Sequence, residues 1–151
     1  IARTYIALVK GVLHKGGTID AAIARHNKIR QKFMVHPTGR SAITHYQIRE
    51  RFKHHTLLTV TLETGRTHQI RVHMHHINHP IVGDTIYHRG KHIKQNTLSA
   101  DALDALYHFK RQALHATSLQ LEHPEHKTRV EVTCELPQDF EQLLNHVRTS
   151  V

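Results

Sequence analysis

A β-like run that is broken by glycine and turns at once into a polar helix start constrains this chain more than any other feature. Thr56 to Glu63 is β-branched and apolar, and Gly65 interrupts it. Arg66, His68, Gln69, Arg71 and His73 then follow in close order, and Pro80 and Gly83 stop the helix. A strand that turns sharply into such a helix presents backbone N–H groups and two guanidinium groups at one edge of a sheet. That arrangement suits an anionic partner.

The charge balance agrees. The 151 residues carry a formal charge of +9, and the isoelectric point is near 10.1. The electrostatic default for such a chain is a polyanion, nucleic acid first. Eighteen histidines add to this, because full protonation would take +9 to +27. Anion affinity should therefore strengthen as pH falls through about 6.5. Apolar residues make up 38% and aromatic ones 5%. This is lean but enough for one core in a chain of this size. The lone Cys134 excludes an internal disulfide and a multi-cysteine zinc site, and its strand-like setting favours a structural thiol. No apolar run approaches about 20 residues and no signal-peptide pattern opens the chain, so no membrane partner and a cytoplasmic location are expected.

Periodicity predicts an α+β domain, with helices packed on a mixed, largely antiparallel sheet. Thr4–Val12 reads as a strand. Ala21 to Ile23 hints at helix, and Arg25 to Lys32 reads as an exposed basic loop. Ser41–Phe52 and Thr56–Glu63 form a hairpin, and Thr67 to about Asn78 follows as a helix with Ile70, Met74 and Ile77 on one face. Lys91 to Lys110 is a polar insertion in which Ser99 caps a short Ala102–Tyr107 helix. Gln112–Leu121 and Thr128–Glu135 make another hairpin. Pro137 opens a closing helix whose apolar face is Phe140, Leu143, Leu144 and Val147.

On the helix after Gly65, Thr67 and Arg71 share a face while Ile70 and Met74 point inward. Arg71 thus stands between core and cleft and needs an anionic partner, since a half-buried charge left unpaired is expensive. The histidines from His73 to His79 are a second candidate. His75 and His79 could share a metal only if helix persisted to Pro80, which Pro80 disfavours. No zincin-type His-Glu-x-x-His occurs, so most of these histidines read as structural or solvated and no metal is assigned.

Thr64-Gly65-Arg66-Thr67-His68-Gln69-Ile70-Arg71-Val72-His73, followed by His79-Pro80-Ile81-Val82-Gly83-Asp84, resembles the arginine motif of the pseudouridine synthases that modify large-subunit ribosomal RNA. Arg3 to Gly11 resembles the family's tyrosine-bearing strand, and Ser41 to Tyr46 the hairpin strand before the motif. The resemblance implies isomerisation of uridine to pseudouridine in 23S ribosomal RNA, without cofactor or metal. It makes Tyr5 and Arg71 catalytic: the tyrosine takes the C5 proton, and the arginine pairs with a catalytic aspartate. It also implies RNA contacts from Arg66, Thr67, His68 and Gln69. The loop residues Arg25, Lys28, Arg30 and Lys32, otherwise an ordinary solvated run, become phosphate contacts beside such a cleft.

One departure stands against these matches. The family's His-Arg-Leu-Asp segment does not occur, and Asp20, Asp84, Asp101, Asp104 and Asp139 stand in other contexts, Asp84 in a turn that reads as structural. Residues 1–151 are therefore expected to be a partial catalytic domain lacking its N-terminal segment, inactive alone, with Arg71 deprived of its carboxylate and a sheet edge left exposed. The start at Ile1 rather than Met fits that expectation. The rival reading is a non-catalytic RNA-binding module that has lost the nucleophile. A histidine-metal hydrolase is more distant.

Overall fold

The chain is described from a computed structural model that covers residues 2–87 and 98–148. Its centre is the first strand, β1 (Ala2–Lys10). The run Ile6-Ala7-Leu8-Val9 is buried along its whole length. Such a continuous apolar run suits a strand covered on both faces rather than one with a wet side.

Next along the chain come β2 (Gly17–Asp20), β3 (Ile23–Arg25), β4 (Phe33–Val35), β5 (Ile43–Arg51) and β6 (His55–Leu62). Helices α1 (Gln69–His76) and α2 (Ala100–His108), strands β7 (Leu114–Glu122) and β8 (Arg129–Thr133), and helix α3 (Gln138–Arg148) complete the described residues. Six strands form one sheet in the order β2-β5-β6-β1-β7-β8, and β3 pairs with β4 in a separate ribbon. Every pairing is antiparallel. The expected α+β architecture and its two long hairpins are as the structure has them. No helix among the described residues is long and apolar enough to cross a membrane.

The local helix hint at Ala21–Ile23 is overturned. Ile23 pairs with Val35 across the ribbon and bridges Arg40, so contacts distant in sequence win over weak local propensity. The basic stretch Arg25–Lys32 does form a connection, and it caps that ribbon. Ser99 accepts a hydrogen bond from Ala102 N, so the expected cap is present, although the helix runs to His108. The expectation of a polar insertion from Lys91 falls partly outside the described residues.

The core joins Leu8 and Ile6 of β1, Leu57 and Leu58 of β6, Ile70 and Met74 of α1, and Phe140, Leu143 and Leu144 of α3. Arg148 clamps the end of α3 to β5 through two 2.8 Å bonds to Glu50. The sheet's edge strands are β2 and β8. All five β8 residues are exposed, Val130 and Val132 among them. Cys134 follows β8, exposed and unpaired as a free thiol.

Candidate functional site

The turn after β6 is built by Thr64 and Gln69. Thr64 Oγ1 accepts from Ile43 N at 2.9 Å and donates to Gln69 Oε1 at 2.8 Å. Gln69 Oε1 also accepts from Arg66 N, and its Nε2 donates to Ile43 O and Thr44 Oγ1. Gln69 is only 3% exposed. Expected to touch RNA, it instead spends its amide on holding the strand-to-helix turn.

His73 extends that network inward. Its Nε2 lies 2.8 Å from Ala21 O, which can only accept, so Nε2 carries the proton and Nδ1 accepts from Thr44 Oγ1 at 2.7 Å. Burial is the main cause holding its pKa below the ordinary value, and the Ala21 bond partly offsets it. His79 lies beyond α1, with Nδ1 against Lys10 O at 2.8 Å. The i, i+4 pair with His75 is therefore not formed.

Helix α1 begins at Gln69 rather than Thr67 because His68 sits in the left-handed region at φ 55°. That kink aims the side chains on either side of it differently. Arg66 Nε donates to Ser41 O at 2.7 Å, and Thr67 is exposed. Arg71, one turn into the helix, is directed at Asp84.

Here an expectation fails. Arg71 does not lack a carboxylate: its Nε and Nη2 donate to Asp84 Oδ2 and Oδ1 at 2.8 and 3.0 Å. The side chains are 11% and 0% exposed. Asp84 is delivered by Gly83, whose φ of +81° and contact with the Arg111 carbonyl leave no room for a Cβ. Asp84 Oδ1 also accepts from Ile86 N and Tyr87 N. Burial pushes the Asp84 pKa up, but the Arg71 bonds and these N–H donors together hold it below the usual carboxylate value. The structural role expected of Asp84 is thus joined to the site itself. The signal available in sequence was the need of Arg71 for an anion and an aspartate placed thirteen residues later by a glycine turn.

Tyr87 closes the arrangement. The Arg71 guanidinium lies 5.0 Å from its ring centroid, and Lys32 Nζ lies 5.8 Å from it. Arg71 Nη1 makes no hydrogen bond among the described residues. Tyr5 is half-buried on β1 beside a bulge, opposite Val60 and Ala116. No hydrogen bond or ring contact joins it to Arg71 among the described residues.

The ribbon gathers the remaining cations. Arg25, Lys28 and Arg30 are exposed, and Lys32 is half-buried. Arg25 stacks 5.1 Å from the Phe33 ring and donates to Arg30 O, and His26 Nδ1 accepts from Lys28 N and Ile29 N. The loop is therefore shaped, with Lys28 and Arg30 exposed at its tip. A cavity of about 280 Å³ separates it from α1, lined in part by Lys32, His75 and Tyr87.

Comparison with known proteins gives this site its context. The family model described as RNA pseudouridylate synthase matches residues 1–76. Ribosomal large subunit pseudouridine synthase D of Haemophilus influenzae is 47% identical over 148 residues, 98% of this chain and 45% of the relative. The synthase of the same name from Pseudomonas aeruginosa is 48% identical over 148 residues, 98% of this chain and 46% of that protein. The chain thus spans about half the length of the curated relatives it matches. Among solved structures, human RNA pseudouridylate synthase domain containing 4 superposes with a TM-score of 0.74 at 24% identity, covering 97% of this chain and 62% of that one. Human RNA pseudouridylate synthase domain containing 1 gives 0.69 at 23%, covering 99% and 66%. These two establish the shared fold. With the family model matching more than half of its length, the chain belongs to the RNA pseudouridylate synthase family.

Proposed function

We propose that these residues form part of a cytoplasmic enzyme that converts specific uridines of 23S ribosomal RNA to pseudouridine, and that the catalytic aspartate is supplied from outside the 151 residues. The observation that carries this reading is the state of Arg71. Its guanidinium is fixed on one edge by Asp84 and backed by Tyr87, while Nη1, on the other edge, makes no hydrogen bond among the described residues. A second carboxylate can dock on that edge and be kept ionised by the adjacent cation. Asp84 is a poor nucleophile in its place, because its side chain is fully buried and already pairs with Arg71.

In the proposed reaction the C1′–N1 bond of a flipped uridine breaks, the uracil turns, and C1′ bonds to C5. The C5 proton leaves through the Tyr5 hydroxyl, and N1 gains a proton. Arg66, Thr67 and His68, with Arg25, Lys28, Arg30 and Lys32, hold the RNA backbone. Neither metal nor cofactor has a step to perform.

The test is pseudouridine formation on a 23S ribosomal RNA transcript, with this chain and with a version extended upstream. Activity confined to the extended protein supports the proposal, whereas turnover by the 151 residues alone removes the external aspartate. RNA binding by both without turnover by either favours the non-catalytic binding module. The occupied Asp84 and the exposed cations of the ribbon are the observations that keep that second reading in play.

A further inference from the structure

The turn that starts α1 is fastened to the basic ribbon by two hydrogen bonds that meet at one phenol. Phe33 N–H donates to Tyr87 Oη at 2.9 Å, and Tyr87 Oη lies 2.7 Å from His68 Nδ1. Oη accepts from the Phe33 amide, and its own proton is free to be directed at Nδ1. In that arrangement Nδ1 accepts, and the single proton of the neutral imidazole resides on Nε2. No described residue receives that Nε2–H.

The surroundings keep the ring uncharged. Phe33 from the ribbon and Tyr87 from the far side both meet the His68 ring edge to face, at 5.6 and 5.5 Å. Arg71 from α1 faces the same space, as does its partner Asp84, and beyond Tyr87 stand Lys32 and His75. Burial, then the Arg71 charge, lowers the His68 pKa, with Asp84 opposing them. Protonation would also put an N–H where the Tyr87 bond now ends.

We infer that His68 presents a neutral Nε2–H donor, fixed in tautomer by Tyr87, to an acceptor oxygen of the bound RNA. The inference deepens the reading of this face as an RNA site and rests on it. Tyr87 becomes a positioning residue: the hydroxyl that sets the His68 tautomer also accepts from Phe33 at the base of the ribbon. The aim of the donor and the seating of the ribbon therefore depend on the same atom. A neutral donor recognises without releasing counterions, so its contribution differs in kind from that of Lys28 or Arg30.

Two substitutions of His68 separate the ring nitrogens. His68→Asn tolerates the left-handed backbone and reaches only as far as Nδ1, leaving nothing at Nε2. His68→Gln carries an amide N–H near the Nε2 position. With the intact 151-residue chain and a labelled uridine-containing RNA hairpin as probe, His68→Asn should weaken binding about tenfold, the worth of one lost hydrogen bond. The slope of affinity against salt should not change, and His68→Gln should recover most of the loss. Imidazole ¹⁵N spectra at pH 7 should show the His68 proton on Nε2 alone, and Tyr87→Phe should mix the tautomers. Equal binding by the Asn variant and the unsubstituted chain, or a proton on Nδ1, would overturn the inference. Failure of the unsubstituted chain to bind the hairpin at low salt would reject both the donor role and the RNA reading, while the spectra would still decide the Tyr87 lock.

Discussion

Single residues in this chain carry charges and imidazoles whose surroundings set their protonation. Asp84 and Arg71 form the tighter case. Asp84→Ala would leave a mostly buried guanidinium without its carboxylate, and about 3–5 kcal/mol of stability should go, measured by urea unfolding at pH 7. Because the folded Asp84 pKa lies below its ordinary 3.8, its contribution is present above that value and is lost as pH falls below it. His55 acts in a different window. It is fully buried at the start of β6, neither ring nitrogen has a hydrogen-bond partner among the described residues, and burial, then Lys10 and His54, push its pKa down to about 4. The unfolded chain binds a proton near 6.5 that the folded chain refuses, so stability should fall from about pH 6.5 toward 4, by up to about 3 kcal/mol. His55→Leu, which removes an unpaired polar group from the core, should not weaken the fold at pH 7.5 and should flatten that acid limb. Urea midpoints at pH 7.5 and 4.5 decide it, and an unchanged pH dependence in the variant would show that His55 is not its source.

Between residue and fold, the turn that delivers Asp84 is the element on which the site depends most. Gly83→Ala would drive a Cβ into Arg111 O in a left-handed conformation. Backbone strain of about 1–3 kcal/mol and overpacking of similar size add up to a loss of several kcal/mol. The thermal midpoint should drop by about 5–15 °C, and a drop under 2 °C would mean the backbone yields more easily than its contacts suggest. Elements with strong local periodicity were legible in the sequence: β1, both long hairpins, the Ser99 cap and the apolar face of α3. The short ones were not. In β2 only Ile19 is buried and its pairing is set by the distant β5, while β3 and β4 have three residues each, too few to show a period. The start of α1 was misread by two residues because nothing in the residue type announces that His68 takes a left-handed conformation. Arg71's need for a carboxylate could be read from its place between core and cleft. The Gly83-Asp84 turn marked Asp84 as a candidate for that partner, but whether the turn reaches Arg71 depends on how Gly83 packs against Arg111.

At the scale of the whole molecule, a net charge of +9 and a ribbon tip of exposed cations make binding to RNA a matter of counterion release as much as of contact. Each phosphate neutralised on a single strand contributes about 0.7 to the slope of log affinity against log salt. Replacing Arg25, Lys28, Arg30 and Lys32 with Gln together should therefore lower that slope by about 2–3, provided all four meet phosphates. The stability should scarcely change, because three of these side chains are exposed and their local contacts are worth little. Lower pH should strengthen RNA binding through the exposed histidines of the surface, but less than the count of eighteen suggests. His55, His68, His73 and His75 all have pKa values pushed down, chiefly by burial, and resist the charge. Fluorescence titrations of the RNA hairpin between 50 and 200 mM salt, at pH 7.5 and 6.0, separate these contributions. An unchanged slope in the quadruple variant would move the phosphate track off the ribbon, and the cations beside Arg66 would then have to carry it.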